Sequence, residues 1–194
     1  QAKLEKGFLN IFKYFLNKFI FKLTELFVTK IIVKSVGLYD LISFKKKAKI
    51  IPNGVDFNKY KPVKKSLARK KLGINKNFSY ILFLANKKNK NKNFKLLEDS
   101  LKILNDNKIK LLDYDYPLDP HLVPNYINSS NLLVLTSFYE GSPNIIKEAM
   151  ACCVPIVSVN TGDVKNIISN TDGCYLSKYD PIDFANNINK ALNF

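Results

Sequence analysis

Glu140 and Glu148 bracket the segment Gly141-Ser142-Pro143-Asn144-Ile145-Ile146-Lys147. Serine followed by proline is a helix-start signal, which predicts Ser142 as the N-cap and Pro143 at the first helical position. The amides at Gly141, Ser142 and the first turn are then left to meet an anion. Gly141 has no Cβ, so a ligand can approach its backbone closely. Glu148 follows Asn144 by one helical turn on the same face, while Ile145, Ala149 and Met150 turn toward the core. Carboxylates so placed suit the hydroxyl pairs of sugars, which they can accept from bidentately. Purely structural roles compete: Glu140 offsetting the helix dipole, Glu148 as an ordinary surface residue.

A second segment, Asn86-Lys87-Lys88-Asn89-Lys90-Asn91-Lys92-Asn93, follows the apolar run Ile81-Leu82-Phe83-Leu84-Ala85 and precedes a helical pattern. Lysines at a strand end beside a helix N-terminus would meet a phosphate with both point charges and backbone N–H groups. No glycine-rich Walker or dinucleotide fingerprint is present, and a solvated lysine and asparagine loop is the competing reading. A third segment, Val159-Asn160-Thr161-Gly162-Asp163, joins a strand to a helix and is placed to close over the same ligand. A polar turn with a helix cap is the simpler reading there.

The elements that must position these loops read as an alternating series. From Tyr80 onward, β-rich runs (Tyr80–Ala85, Ile109–Asp113, Leu132–Thr136, Pro155–Val159, Gly173–Leu176) alternate with helical patterns (Phe94–Asn105, His121–Ser130, Asn144–Ala151, Val164–Ser169, Asp183–Leu192). Such alternation predicts an α/β, doubly wound, mostly parallel sheet, whose ligands bind beyond the carboxyl ends of the strands. Upstream, Phe27–Val33 reads as a buried strand, Val36–Phe44 as a short helix and Ala48–Ile51 as a second strand. The turn chemistry of Pro52-Asn53-Gly54-Val55-Asp56 then marks a boundary, dividing the chain into residues 1–50 and 51–194.

The stretch Phe8–Val28 is rich in Phe, Leu and Ile but interrupted by Lys13, Lys18, Lys22 and Glu25, so no apolar run reaches spanning length. On a helix, Asn10, Lys13 and Asn17 form one narrow stripe, with Phe8, Phe12, Phe15, Phe19 and Leu23 on wide apolar sectors. Two placements remain open: packing in a neighbouring domain, or a basic amphipathic helix on a membrane surface.

The 194 residues suffice for one domain with an appendage, not two full domains. With 46% hydrophobic and 24% charged residues the chain can bury a core. The net charge of +15 favours anionic partners without choosing among nucleic acid, phosphorylated ligands and an acidic membrane. Arg69 is the sole arginine, so the excess is nearly all lysine and partly compositional. Cys152, Cys153 and Cys174 form neither a disulfide framework nor a paired metal-ligand pattern and read as small hydrophobes in a reducing compartment. His121, after Pro120 at a helix start, reads as a surface residue. Because Gln1 is not an initiator methionine and no cleavable leader follows, the sequence reads as an excerpt of a longer chain.

The run Glu140-Gly141-Ser142-Pro143-Asn144 through Glu148-Ala149-Met150-Ala151-Cys152, then Val154-Pro155-Ile156-Val157-Ser158 and Gly162-Asp163-Val164, resembles the glutamate, seven residues, glutamate signature of glycosyltransferase family 4. Ile51-Pro52-Asn53-Gly54-Val55-Asp56 resembles that family's interdomain linker, followed by Ala68-Arg69-Lys70-Lys71-Leu72-Gly73. The resemblance runs from about Phe27 to the C-terminus. It implies the Rossmann-like C-terminal half of a GT-B fold, preceded by a helix and strand remnant of the acceptor domain.

The resemblance further implies that Glu148 holds the ribose hydroxyls of a nucleoside-diphosphate sugar and Glu140 contacts the transferred sugar as the catalytic-site carboxylate. Gly141, Ser142, Pro143 and Asn144 would present the turn to sugar and diphosphate. Lys92 matches the family's basic residue on the diphosphate. Lys87 stands where arginine is usual, which keeps the charge and loses the bidentate fork, and Asn86 where glycine is frequent. The implied reaction retains anomeric configuration and needs neither metal nor cofactor, lysines and a helix N-terminus stabilising the leaving diphosphate. Partners would be a nucleotide sugar and a glycan or lipid-linked acceptor, with no specific nucleic acid. The implied setting is polysaccharide biosynthesis at the cytoplasmic face of the membrane, with peripheral contact.

The segment Asn107 to Pro124 is short for the family, which directs attention for base recognition to Tyr114 or Tyr116. The acceptor domain's glycine-rich loop and histidine and the C-terminal crossover helix are not within the sequence, so this chain alone is expected to be inactive in transfer. Rival readings are a sugar-nucleotide epimerase on the same fold and a basic module binding nucleic acid through residues 86–95, which lacks interleaved aromatics.

Overall fold

The computed structural model describes residues 2–114 and 116–194, with side chains from residue 15 onward. The chain divides into two compact units, Gln1–Pro52 and Asn53–Phe194.

The first unit consists of α1 (Ala2–Phe27), β1 (Ile31–Val33), α2 (Val36–Asp40), a 3-10 turn over Lys45–Lys47 and β2 (Ala48–Ile50). The two strands pair in parallel with Ile31 opposite Ala48. The strand expected over Phe27–Val33 is therefore only its last three residues. Helix α1 persists to Phe27 because Lys47 Nζ donates to the carbonyls of Glu25, Leu26 and Val28 at 3.0–3.1 Å, satisfying acceptors that a helix end leaves open. Glu25 is buried, and its Oε2 accepts from the amides of Ser43 and Phe44 at 2.8 and 3.0 Å. Phe15, Phe19, Phe21 and Phe27 are exposed on α1, while the side chains of Phe8, Asn10, Phe12 and Lys13 lie outside those described. Among the described residues no helix is long and apolar enough to cross a membrane.

The second unit runs α3 (Lys65–Lys71), β3 (Ser79–Leu82), a 3-10 turn over Lys90–Lys92, α4 (Phe94–Leu104), β4 (Ile109–Leu111), α5 (Val123–Ser129), β5 (Leu132–Leu135), α6 (Asn144–Ala151), β6 (Ile156–Val159), α7 (Val164–Ile168), β7 (Cys174–Ser177) and α8 (Pro181–Leu192). The five strands form one parallel sheet in the order β4-β3-β5-β6-β7. Period-two alternation sends Leu133 and Leu135 to one apolar cluster with Ile146, Ala149 and Val164. Leu132 and Val134 go to the other, with Leu97, Phe184 and Ile188. Helices thus cover both faces, which is why β5 and β6 are buried at every position.

The sheet grows from β3 outward to β4, then returns to add β5 on the opposite side of β3. That reversal makes a crevice at the carboxyl ends of β3 and β5, the general ligand position in open α/β sheets. The loops that leave these two strands carry Lys92 and Glu140.

The sole arginine is structural. Arg69 is buried, with Nε on the Ser129 carbonyl at 2.9 Å, Nη1 on the Lys76 carbonyl at 3.0 Å and Nη2 on Asn131 Oδ1 at 2.7 Å. Its guanidinium also lies 5.0 Å from the Tyr80 ring centre. One fixed fork ties α3, the end of α5 and the entry to β5 together, a geometry a lysine cannot reproduce.

Candidate functional site

The loop after β3 is stitched onto the loop after β5. Phe138 N donates to the Asn91 carbonyl at 2.9 Å, and Thr136 Oγ1 to the Lys92 carbonyl at 2.6 Å. The Asn91 side chain accepts from Tyr139 N at 3.1 Å and donates to the Tyr139 carbonyl at 2.9 Å. Asn93 takes the left-handed conformation, φ 48°, at the junction of the Lys90–Lys92 turn and α4. Held this way, Lys92 Nζ donates to Glu140 Oε1 at 2.6 Å. The pair is mostly buried, with side-chain exposures of 29% and 17%, so its Coulombic attraction is less screened than a surface pair's.

The third loop meets the second through backbone. A Cβ on Gly162, at φ +58°, would stand 2.5 Å from the Gly141 carbonyl oxygen and 2.9 Å from that of Glu140. Only glycine fits there. Asp163, at the N-cap position of α7, makes no side-chain cap bond and leaves a buried Oδ1 without a partner among the described residues. The third loop is thus packed against the Glu140–Gly141 turn and is more than a capped polar turn.

Helix α6 covers the expected Asn144–Ala151, but its N-cap falls one residue later than the Ser142 its sequence suggests. Pro143 is the N-cap, in extended conformation with ψ 114°, and Asn144 is the first helical residue. Ser142 makes no cap; its Oγ accepts from Lys147 Nζ at 2.5 Å. The amides of Gly141, Ser142, Asn144 and Ile145 have no acceptor among the described residues, so the helix start presents unmatched donors. Asn144 Oδ1 accepts from Asn53 Nδ2 at 2.9 Å, and Lys147 Nζ also donates to the Asn53 carbonyl at 2.9 Å. Ile146 and Ala149 are the fully buried residues of α6; Ile145 and Met150, expected in the core, are partly buried against it.

Glu148 is half-buried, and burial pushes its carboxyl above the usual range; a hydrogen bond from the Tyr60 hydroxyl and the nearby Lys59 charge pull it back down. The same burial, together with the Glu148 charge, pushes Tyr60 up to about 12. Tyr60 escapes a sequence reading because nothing local marks it: it is one aromatic after a turn, and its partner lies on a distant helix. Lys147 escapes for the same reason.

Lys87 is not brought to Glu140. Its Nζ pairs with Asp113 at 3.3 Å and sits 5.5 Å from the Phe94 ring centre, on a depression of about 330 Å³ shared with Lys88, Lys90 and Lys95. Of the tyrosines expected near a base, Tyr114 donates its hydroxyl to the carbonyls of Phe83 and Ala85, and burial pushes it up to about 12. Tyr116 is exposed, and Asp115 lies outside the described residues. Asn128 Nδ2 donates to Cys152 Sγ at 3.4 Å, and burial pushes that thiol up to about 11, far from a thiolate nucleophile. The three cysteines are free, and the described residues hold no cluster of three or more potential metal ligands.

The parallel five-stranded sheet with helices on both faces and its order reversal at β3/β5 matches the Rossmann-like half of the GT-B glycosyltransferase fold. Residues 87–193 match the family model described as Glycosyl transferases group 1, more than half of the chain, and the chain belongs to that family. A curated relative, the Escherichia coli UDP-Gal:alpha-D-GlcNAc-diphosphoundecaprenol alpha-1,3-galactosyltransferase, is 24% identical over 86% of this chain and 52% of its own length. Sucrose-phosphate synthase from Thermosynechococcus elongatus superposes with a TM-score of 0.70 at 18% identity, covering 84% of this chain and 48% of that one. Anabaena Alr3699/HepE, solved in complex with UDP, gives 0.67 at 22% identity over 86% and 54%. The chain spans about half the length of these relatives.

Proposed function

We propose that this chain is the nucleotide-sugar-binding half of a retaining, metal-independent family 4 glycosyltransferase that acts on a polysaccharide or lipid-linked acceptor, with residues 1–50 contributed by the acceptor domain. Glu148 accepts the ribose hydroxyls of the donor. The unmatched amides at the start of α6 and the Lys92 ammonium receive the diphosphate, and Glu140 meets the transferred sugar. As the glycosidic bond breaks, negative charge builds on the leaving diphosphate, where fixed donors are most effective. The observation that carries this reading is the 2.6 Å contact of Lys92 with Glu140, which draws the phosphate-facing loop and the sugar-facing loop to one crevice.

The UDP-galactose of the Escherichia coli relative and the UDP bound to HepE make UDP the first nucleotide to try and a hexose such as galactose the first sugar. The site of action would be the cytoplasmic membrane face, where a lipid-linked acceptor is held, with the chain in peripheral contact. A thermal-shift panel of UDP, GDP and ADP tests the donor site. One of them should raise Tm by several degrees for the native chain and much less for Glu148→Ala, since ligand binding stabilises by mass action. No shift with any of the three, at concentrations up to the millimolar range, would refute the reading.

A further inference from the structure

Of the lysines on or beside the loops of the crevice, two are neutralised within the protein: Lys92 by Glu140 and Lys87 by Asp113. Lys147 is not. Its half-buried ammonium donates to two neutral oxygens, the Asn53 carbonyl and Ser142 Oγ, and no carboxylate pairs with it among the described residues. An ammonium has three donors, and the third is still to give. Lys147 lies within the first turns of α6, whose leading amides also lack acceptors among the described residues. Ser142 Oγ, which accepts from Lys147, keeps its own hydroxyl hydrogen for a further acceptor.

We propose that Lys147 is a diphosphate-contacting residue of this site, supplying with Ser142 the second positive element that Lys87, turned to Asp113, does not. This assignment rests on the donor-site reading above and deepens it. The ammonium and the Ser142 hydroxyl act on the terminal phosphate, the one that gains charge as the sugar leaves. Anchorage to Asn53 fixes Lys147 in place before the ligand arrives, so little side-chain entropy is lost on binding.

The test uses residues 1–194 and isothermal titration with UDP and UMP, and with the GDP/GMP and ADP/AMP pairs, scored on whichever diphosphate binds best. Lys147→Met should raise the diphosphate Kd about tenfold while changing the monophosphate Kd far less, and Lys147→Arg should recover most of the loss. Lys147→Gln, which can still donate to Asn53, should behave as Lys147→Met; should the methionine variant fail to fold, it carries the test. Lys165→Met, on α7, controls for the loss of one positive charge. If a folded Lys147→Gln keeps the native ratio of diphosphate to monophosphate affinity, or loses both equally, Lys147 only ties Asn53 and the assignment is wrong. In that case retained, Glu148-dependent diphosphate binding leaves the donor-site reading standing. Absence of diphosphate binding by the native chain overturns both.

Discussion

Replacing Glu148 by glutamine should move ligand affinity and fold stability in opposite directions. The carboxylate is half-buried and raised above the usual range by burial, so the unliganded protein holds it at a cost when it is ionised. A carboxyl raised in the folded state contributes most to stability below its unfolded pKa and loses that contribution as pH rises through the folded value. At neutral pH the native chain has therefore given up that contribution, and the neutral amide of Glu148→Gln has nothing to give up. The variant should melt higher than the native chain near pH 7, with the difference closing as the pH falls to the acid range. Binding runs the other way. A hydrogen bond to a charged acceptor is worth about 1.5–3 kcal/mol, against about 0.5–1.5 for a neutral one. Glutamine should then lose on the order of 1 kcal/mol, roughly fivefold in Kd for the nucleoside diphosphate, and Glu148→Ala roughly tenfold or more. Calorimetric titration and melting curves across pH 4–8 read both effects on one protein preparation. A folded Glu148→Gln that binds the diphosphate as tightly as the native chain or tighter removes Glu148 from the site, and a variant that melts lower at pH 7 refutes the burial argument.

Gly162→Ala forces a Cβ against the Gly141 carbonyl at a φ of +58° and should destabilise the chain by about 1–3 kcal/mol, read from the urea midpoint; a native midpoint would show that the loops give way. Arg69→Lys exchanges a three-point fork over Tyr80 for one ammonium and should cost about 2 kcal/mol in the same assay. A double-mutant cycle of Lys92→Met and Glu140→Gln should return a coupling of about 1 kcal/mol in stability, and additive single effects would mean that the pair is no stronger than a surface one. In salt titrations, nucleic-acid attraction to the lysine-rich surface should collapse between low and physiological ionic strength while diphosphate binding persists; the reverse would favour a basic nucleic-acid module.

Residue types and their order already imply the layering of the second unit and the neighbourhood of its candidate site. Alternation of apolar residues, as in Leu132-Leu133-Val134-Leu135, splits side chains between two clusters whatever the details, because a strand's period is two. Loops that trail parallel strands must gather at one edge, so the segments holding Lys92, Glu140 and Gly162 were legible as one group from residue types and order alone. Boundaries were less legible. Helix α1 runs into the stretch that reads as strand, since Lys47 donates to its last carbonyls from far along the chain. The cap of α6 shifts because Pro143 is extended, which frees Ser142 to meet Lys147.

Tertiary structure alone decided which charges pair. Lys87 and Lys92 lie in one lysine-rich loop whose composition does not say which partner each takes, yet the hydrogen bonds between Asn91 and residues 138–139 turn Lys92 to Glu140, while Lys87 reaches Asp113. It also decided that Tyr60 bears on Glu148 and that Lys147 meets no counter-charge among the described residues. Local sequence governs backbone preference over a few residues, whereas ion pairs and burial depend on distances between segments that only the packed sheet brings together.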